Sequence, residues 1–319
     1  MKAFIKNSAL FILISSLLYV LLLLAWGTFL PDYFNKNMRY KLGYYGFMNS
    51  RLKEIETLKK CDILILGSSH AYKGFDPRIF KQFGFTIFNL GSSNQTPLQS
   101  NLLLQKYLPL VQPKLVILEV YPEGLEMDGV ESAVDIISNT PKLEDAYQHA
   151  HAVNDLTAYN TLVYSALRRI IFNDQSFTEA VKIDKDTYIS GGYVERNLEY
   201  NTQKPSALEQ KWKIRPKQLE ALKSSISLLN QKNIPFILVQ APITKQLKNS
   251  YSNSVEMDTL YLHLGPYYNF STIHTSILSD SLDFYDLHHL NQTGVVKFNM
   301  AFINDNDLFL QQSIYAPSH

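Results

Sequence analysis

With 319 residues, 46% of them hydrophobic and 18% charged, the chain can bury one large core and still carry a smaller appendage. A net charge of +1 supplies no field to attract a polyanion, so nothing in the composition points to nucleic acid. One cysteine, Cys61, excludes an internal disulfide, and beside a predicted core strand it reads as an inert packed thiol.

No residue from Asn7 to Pro31 is charged, and Ala9 to Leu30 is almost wholly apolar. About 22 residues rising about 1.5 Å each cover roughly 33 Å, enough to cross a bilayer. The spacing predicts a membrane anchor over residues 1–31. A cleaved signal peptide is the alternative, since Ala25-Trp26-Gly27 offers small residues at a cleavage spacing, but the apolar run is long for that role. Lys2 and Lys6 favour an inside amino terminus, whereas Lys36, Arg39 and Lys41 pull the other way. A large domain after a first apolar segment is usually exported, so a single-pass cell-membrane protein with an extracytoplasmic domain is expected. Residues 32–60, with Arg39, Tyr40, Tyr44, Tyr45 and Arg51, suit a membrane interface and read as a juxtamembrane stalk ending in a helix around Ser50 to Lys59.

A domain over residues 61–319 follows. Asp62 to Leu66 reads as a buried strand handing over to Gly67-Ser68-Ser69-His70, a small-residue turn that can present a hydroxyl clear of the backbone. Asp76-Pro77 starts a helix. Thr86 to Leu90 is a second strand leading into Gly91-Ser92-Ser93-Asn94, a helix covers about Pro97 to Leu108, and Leu115 to Val120 is a third strand. Strands alternating with helices predict an α/β fold with a parallel sheet covered on both faces. Ligands of such sheets sit beyond the carboxyl ends of the strands, where Ser69, Gly91 and Tyr121 to Gly124 all emerge. The alternation lapses over 121–205, with helices near Leu143 to His151 and Leu156 to Phe172. This insertion is expected to form a lid or substrate wall that sets acceptor specificity. A helix from Arg215-Pro216 to Asn230 and a strand from Pro235 to Gln240 return to the pattern. The last unit is a strand over Leu282 to Tyr285, a loop holding Asp286 and His289, and a helix from about Thr293 to Ile303.

A serine hydroxyl needs a general base at hydrogen-bond distance and a third group to orient that base. For Ser69 the best pair is His289 with Asp286, three residues apart in one loop. His288 lacks that offset, Asp283 falls in or before the strand, and His70 adjoins the serine and diverges from it. His149 with His151, and His288 with His289, lack the i, i+4 spacing and third ligand of a zinc site, so neither metal nor cofactor is expected.

The block Gly67-Ser68-Ser69-His70, the block Phe88-Asn89-Leu90-Gly91-Ser92-Ser93-Asn94, and Asp286-x-x-His289-Leu290-Asn291 resemble blocks I, II and V of the SGNH/GDSL hydrolase superfamily. The likeness covers roughly Asp62 to Val120 and Asn233 to Met300. Within it the chain is most similar to membrane-anchored members that assist acylation of cell-surface polymers, such as the alginate O-acetylation proteins and the teichoic-acid D-alanylation protein. The resemblance implies a three-layer α/β/α, flavodoxin-like domain with Ser69, His289 and Asp286 as its triad, and Ser68 where the family has Asp. It also implies an oxyanion hole from the N–H groups of Ser69 and Gly91 and a block III asparagine. After the third strand stands Glu119-Val120-Tyr121-Pro122-Glu123, with no asparagine, which leaves Asn94 as the replacement donor. The implied activity is serine acyl transfer, as O-acyltransferase or esterase, on a cell-envelope glycan or polymer beside a membrane-bound O-acyltransferase. A catalytically silent partner protein and a lipid esterase are the alternatives.

Overall fold

The computed structural model describes residues 1–30, 38, 42–43, 46–172, 174–205 and 209–315. Its first element, α1 (Lys2–Phe29), is the one helix among the described residues long and apolar enough to cross a membrane. Tyr40, Tyr44, Tyr45 and Arg39 of the expected stalk lie outside the described residues.

The apolar runs that read as strands are buried at every position, as a sheet covered on both faces requires. Strands β1 (Ile63–Leu66), β2 (Ile87–Asn89), β3 (Leu115–Glu119), β7 (Phe236–Gln240) and β8 (Tyr267–Asn269) form one parallel sheet in the order β2-β1-β3-β7-β8. Alternation along β1 sends Leu64 and Leu66 to one face and Ile63 and Ile65 to the other. The first face is covered by α2 (Met48–Thr57), α5 (Pro97–Val111), α10 (Pro216–Gln231) and α12 (Ser254–Leu264), through Leu52, Leu104, Leu229 and Tyr261 among others. On the second lie α3 (Ser69–Gly74), α4 (Pro77–Gln82), α14 (Gln292–Asp305) and α15 (Asp307–Tyr315), with Phe75, Phe80, Phe298 and Phe302 packed ring against ring. The architecture is therefore three-layer α/β/α around a parallel sheet.

Between β3 and β7 the alternation breaks as expected. A single turn, α6 (Glu123–Glu126), sits at the strand ends. Three helices, α7 (Val130–Asn139), α8 (Leu143–Val153) and α9 (Leu156–Phe172), close over a small core of their own that includes Ala133, Ile137, Ala146 and Ala158. A three-stranded antiparallel sheet, β4 (Lys182–Ile183), β5 (Asp186–Ile189) and β6 (Tyr193–Arg196), completes the insertion. None of these three helices contributes a residue to the lining of the cleft beside Ser69. Instead α9 packs against α1, where Tyr19 donates its hydroxyl proton to Asn160 and Gly27 lies against the Tyr164 ring.

Two expectations are corrected. Leu282 to Tyr285 is not a strand: Phe284 makes a lone antiparallel bridge to Leu290, and the segment folds back on the loop it precedes. The fifth strand is β8, reached from β7 through α11 (Lys245–Asn249) and α12 and followed by α13 (Phe270–Ile273). Nor does the stalk run to residue 60. Met48, Leu52 and Ile55 of α2 are buried in the main core, and Arg51 is wholly buried rather than interfacial.

Arg51 acts as a strut. Its Nε donates to the Gly192 carbonyl at 3.0 Å, Nη1 to that of Gly91 at 2.9 Å and Nη2 to that of Gly46 at 2.8 Å, and its guanidinium covers the Tyr72 ring. Truncation would strand these carbonyls in a dry site. Arg51→Ala is expected to lower stability by about 3 kcal/mol, read as a lower urea midpoint, and an unchanged midpoint would contradict this role.

Candidate active site

The turn after β1 is built for close approach. Gly67 has φ +152, and a Cβ there would stand 2.5 Å from the Glu119 Cβ. Ser68 caps α3, its hydroxyl accepting from the His70 N–H at 3.3 Å, which places Ser69 first in the helix. Beneath the turn Glu119, at the end of β3, accepts the Ser68 N–H at 2.9 Å, the Ser68 hydroxyl at 2.8 Å and the Tyr121 N–H at 2.8 Å. Burial pushes the Glu119 carboxyl above its usual range, and these donors oppose that rise. Ser68 is thus turned to a buried carboxylate while Ser69 faces the cleft.

Ser69 Oγ lies 2.7 Å from His289 Nε2. On the far side of the ring, His289 Nδ1 is 2.9 Å from Asp286 Oδ2 and 3.1 Å from Oδ1. The N–H groups of His288 and His289 also donate to Asp286 Oδ1, at 2.8 and 2.7 Å. Burial alone would raise the Asp286 pKa, but the bonds from the His289 ring and from these N–H groups outweigh it and hold the carboxyl well below the carboxylate range. An ionised Asp286 fixes the proton on Nδ1 and leaves the Nε2 lone pair facing the serine hydroxyl.

The imidazole is also held by its faces. Tyr285 stacks on His289 at 5.4 Å and 4°, and His70 stacks on it at 5.1 Å and 21°. Lys73 donates to the Tyr285 hydroxyl at 3.1 Å and pairs with Asp186 of β5, tying the antiparallel sheet to the back of the site. Burial, with the neighbouring His289 and His288, drives the His70 pKa well below its ordinary value, so that ring stays neutral. Asp283, the rival carboxylate, is fully buried elsewhere, accepting from the Ser279 N–H and Lys297 at 2.8 Å each.

Gly91 approaches this turn so closely that a Cβ would sit 2.8 Å from the Gly67 carbonyl oxygen. Among the described residues, the N–H groups of Ser69 and Gly91 have no hydrogen-bond partner. Asn94 lines the same cleft with φ +47, and its side-chain amide donates one N–H to Glu131 at 2.7 Å. The cleft measures about 170 Å³ and is lined by Ser69, His289, Asn94, Tyr121, Glu123 and Met127 among others. Tyr121, Glu123, Gly124 and Met127 are the insertion's contribution to it. Burial, then repulsion from Glu126 and Glu131, raises the Glu123 pKa.

Among the described residues there is no cluster of three or more His, Cys, Asp or Glu side chains able to hold a metal. His149 is buried, with its pKa lowered to about 4 by desolvation, while His151 stacks on Tyr147 at 5.7 Å.

His70, which as the neighbour of Ser69 is expected to line the cleft or pack rather than act as base, does both. The sequence does not mark the roles of Glu119 and the Tyr285 ring; the signal for the first is a carboxylate ending the apolar run Leu115-Val116-Ile117-Leu118-Glu119, and nothing local marks the second.

No protein-family model and no curated protein matches the chain. Among solved structures it is similar to a "putative acylhydrolase" from Bacteroides fragilis, with 11% identity, a TM-score of 0.41, and coverage of 83% of this chain and 98% of that one. A likeness this distant transfers no activity.

Because the folded pKa of Asp286 lies below its unfolded value of about 3.9, the ionised carboxylate stabilises the fold above that pH. This contribution is lost as pH falls through the folded value. The stability gap between wild type and Asp286→Asn should therefore narrow as the pH is lowered below about 4 in urea titrations, and a gap that widens would contradict the assigned charge.

Proposed function

We propose that the chain is a membrane-anchored serine acyl-transfer enzyme acting on a cell-envelope glycan or polymer. The observation that carries the reading is the continuous line from Ser69 Oγ through His289 to Asp286 at 2.7 and 2.9 Å, opening on a cleft.

Ser69 Oγ attacks the carbonyl carbon of an acyl ester or thioester as its proton passes to His289 Nε2. Asp286 remains ionised and stabilises the imidazolium. The N–H groups of Ser69 and Gly91 receive the tetrahedral oxyanion. Collapse breaks the bond to the leaving group, which takes the proton from His289, and leaves the acyl group on Ser69. A hydroxyl then enters, gives its proton to His289 and attacks the acyl-serine; collapse breaks the acyl bond to Ser69 Oγ, which takes the proton back from His289. A polymer hydroxyl completes a transfer, and water completes a hydrolysis.

The polymer acceptor is favoured by the resemblance to membrane-anchored acylation proteins and by α1, which would hold the cleft near the membrane. A membrane-bound O-acyltransferase would supply the acyl group. Asn94, whose side-chain amide is tied to Glu131, leaves the N–H groups of Ser69 and Gly91 as the two donors of the oxyanion hole, which then works below full strength, since one donor is typically worth about 10²- to 10³-fold in rate. Slow turnover of simple esters is consistent with a partner-delivered acyl group.

A fluorophosphonate probe should label the wild type, fail to label Ser69→Ala, and label His289→Ala at least about 10³-fold more slowly. Labelling that persists in Ser69→Ala would remove the assignment. No labelling of the folded wild type would leave the silent-partner alternative.

A further inference from the structure

We infer that Glu123 selects the acceptor: with Gln95 it presents hydrogen-bond acceptors to an uncharged, hydroxyl-bearing glycan and turns anionic polymers away. The inference rests on the proposed acyl transfer from Ser69 and names the class of alcohol that enters its cleft.

Among the described residues, no Lys or Arg side chain lines the cleft beside Ser69, and Glu123 is the one carboxylate that does. Of the histidines there, His70 stays neutral, and burial followed by the charge of His289 lowers the His288 pKa as well. The Glu123 carboxylate receives no hydrogen bond and no ion pair from a described residue. What acts on it is burial and two further carboxylates, Glu126 and Glu131. Arg215 donates to the Glu126 backbone carbonyl at 2.5 Å but lies outside the cleft lining. Glu131 takes up one N–H of the Asn94 amide at 2.7 Å, which removes that donor from the cleft.

Gln95 supplies a second, independent observation. It is 3% exposed and lines the same cleft, its Nε2 donates to Ser100 Oγ at 3.0 Å, and its Oε1 is buried without a partner among the described residues. Gly124 joins the two side chains into one wall, since a Cβ there would stand 3.9 Å from the Gln95 carbonyl oxygen. A buried acceptor left open is satisfied by a ligand that donates. A carboxylate with no cation beside it accepts from hydroxyls and repels a second negative charge. A sugar brings several hydroxyls close together: one attacks the acyl-serine while its neighbours donate to Glu123 and Gln95. A polymer carrying carboxylates or phosphates brings its charge to a wall that holds no counter-ion.

The test uses the full chain and four fluorophosphonates that differ in the tail on the alkoxy oxygen, where the acceptor alcohol would sit. One has no tail, one a vicinal diol, one the dimethyl ether of that diol, and one a sulfonate. Each labelling rate at Ser69 is divided by that of the untailed probe on the same protein, so that any change in the triad cancels. In wild type the diol should label at least about 10-fold faster than the sulfonate and about 3- to 10-fold faster than its dimethyl ether. Glu123→Gln, which keeps an acceptor and removes the charge, should lose most of the bias against sulfonate and keep the preference for the diol. Glu123→Leu should lose both. Equal rates for diol and sulfonate in wild type, equal rates for diol and dimethyl ether, or a sulfonate bias unchanged in both variants would each overturn the inference while sparing the enzyme. Failure of the untailed probe to label folded wild type would overturn the acyl-transfer reading and the inference together.

Discussion

The hydrogen bond from Ser69 Oγ to His289 Nε2 joins loops 220 positions apart, and much of the molecule can be traced to keeping that separation at 2.7 Å. Neither loop could hold its geometry alone. The serine side depends on a buried carboxylate, Glu119, which gathers the Ser68 N–H, the Ser68 hydroxyl and the Tyr121 N–H under the turn. The histidine side depends on Asp286, which accepts from the imidazole and from two backbone N–H groups and so fixes the loop and the tautomer together. Stacking against Tyr285 and His70 leaves the ring little freedom to swing away. Such bracing matters because a misplaced base loses most of the benefit of proximity.

A second constraint acts behind the site. Arg51 spends its guanidinium on the carbonyls of Gly46, Gly91 and Gly192, so the segment before α2, the Gly91 loop and the start of β6 converge on one charge. The Gly91 N–H, a proposed oxyanion donor, belongs to the residue whose carbonyl Arg51 holds.

The parallel sheet was legible because β1, β3 and β7 each carry an apolar run of strand length that closes on a small or polar residue, Gly67, Glu119 and Gln240 respectively. Ser69, Asp286 and His289 stood out because a hydroxyl, a base and an orienter in the required order leave few alternatives, and the structure brings them within bonding distance of one another. What escaped was set by tertiary contact. The strand β8 has only Tyr267, Tyr268 and Asn269, too short to show a period, and is a strand because β7 lies beside it. Leu282 to Tyr285 looks like a strand by composition, but the buried Asp283, tied to the Ser279 N–H and Lys297, bends it into the loop that holds Asp286 and His289. Arg51 looked like an interfacial cation because burial of a guanidinium is visible only once its three carbonyls are assembled around it.

The most direct measurement is intact and peptide mass analysis of the chain after brief exposure to an activated acyl ester. If an imidazole held between Asp286 and Ser69 activates the hydroxyl, each chain gains a single acyl group on the peptide containing Ser69, and His289→Ala gains none on the same timescale. Acylation at another residue, or equal acylation of Ser69 in His289→Ala, would contradict the account.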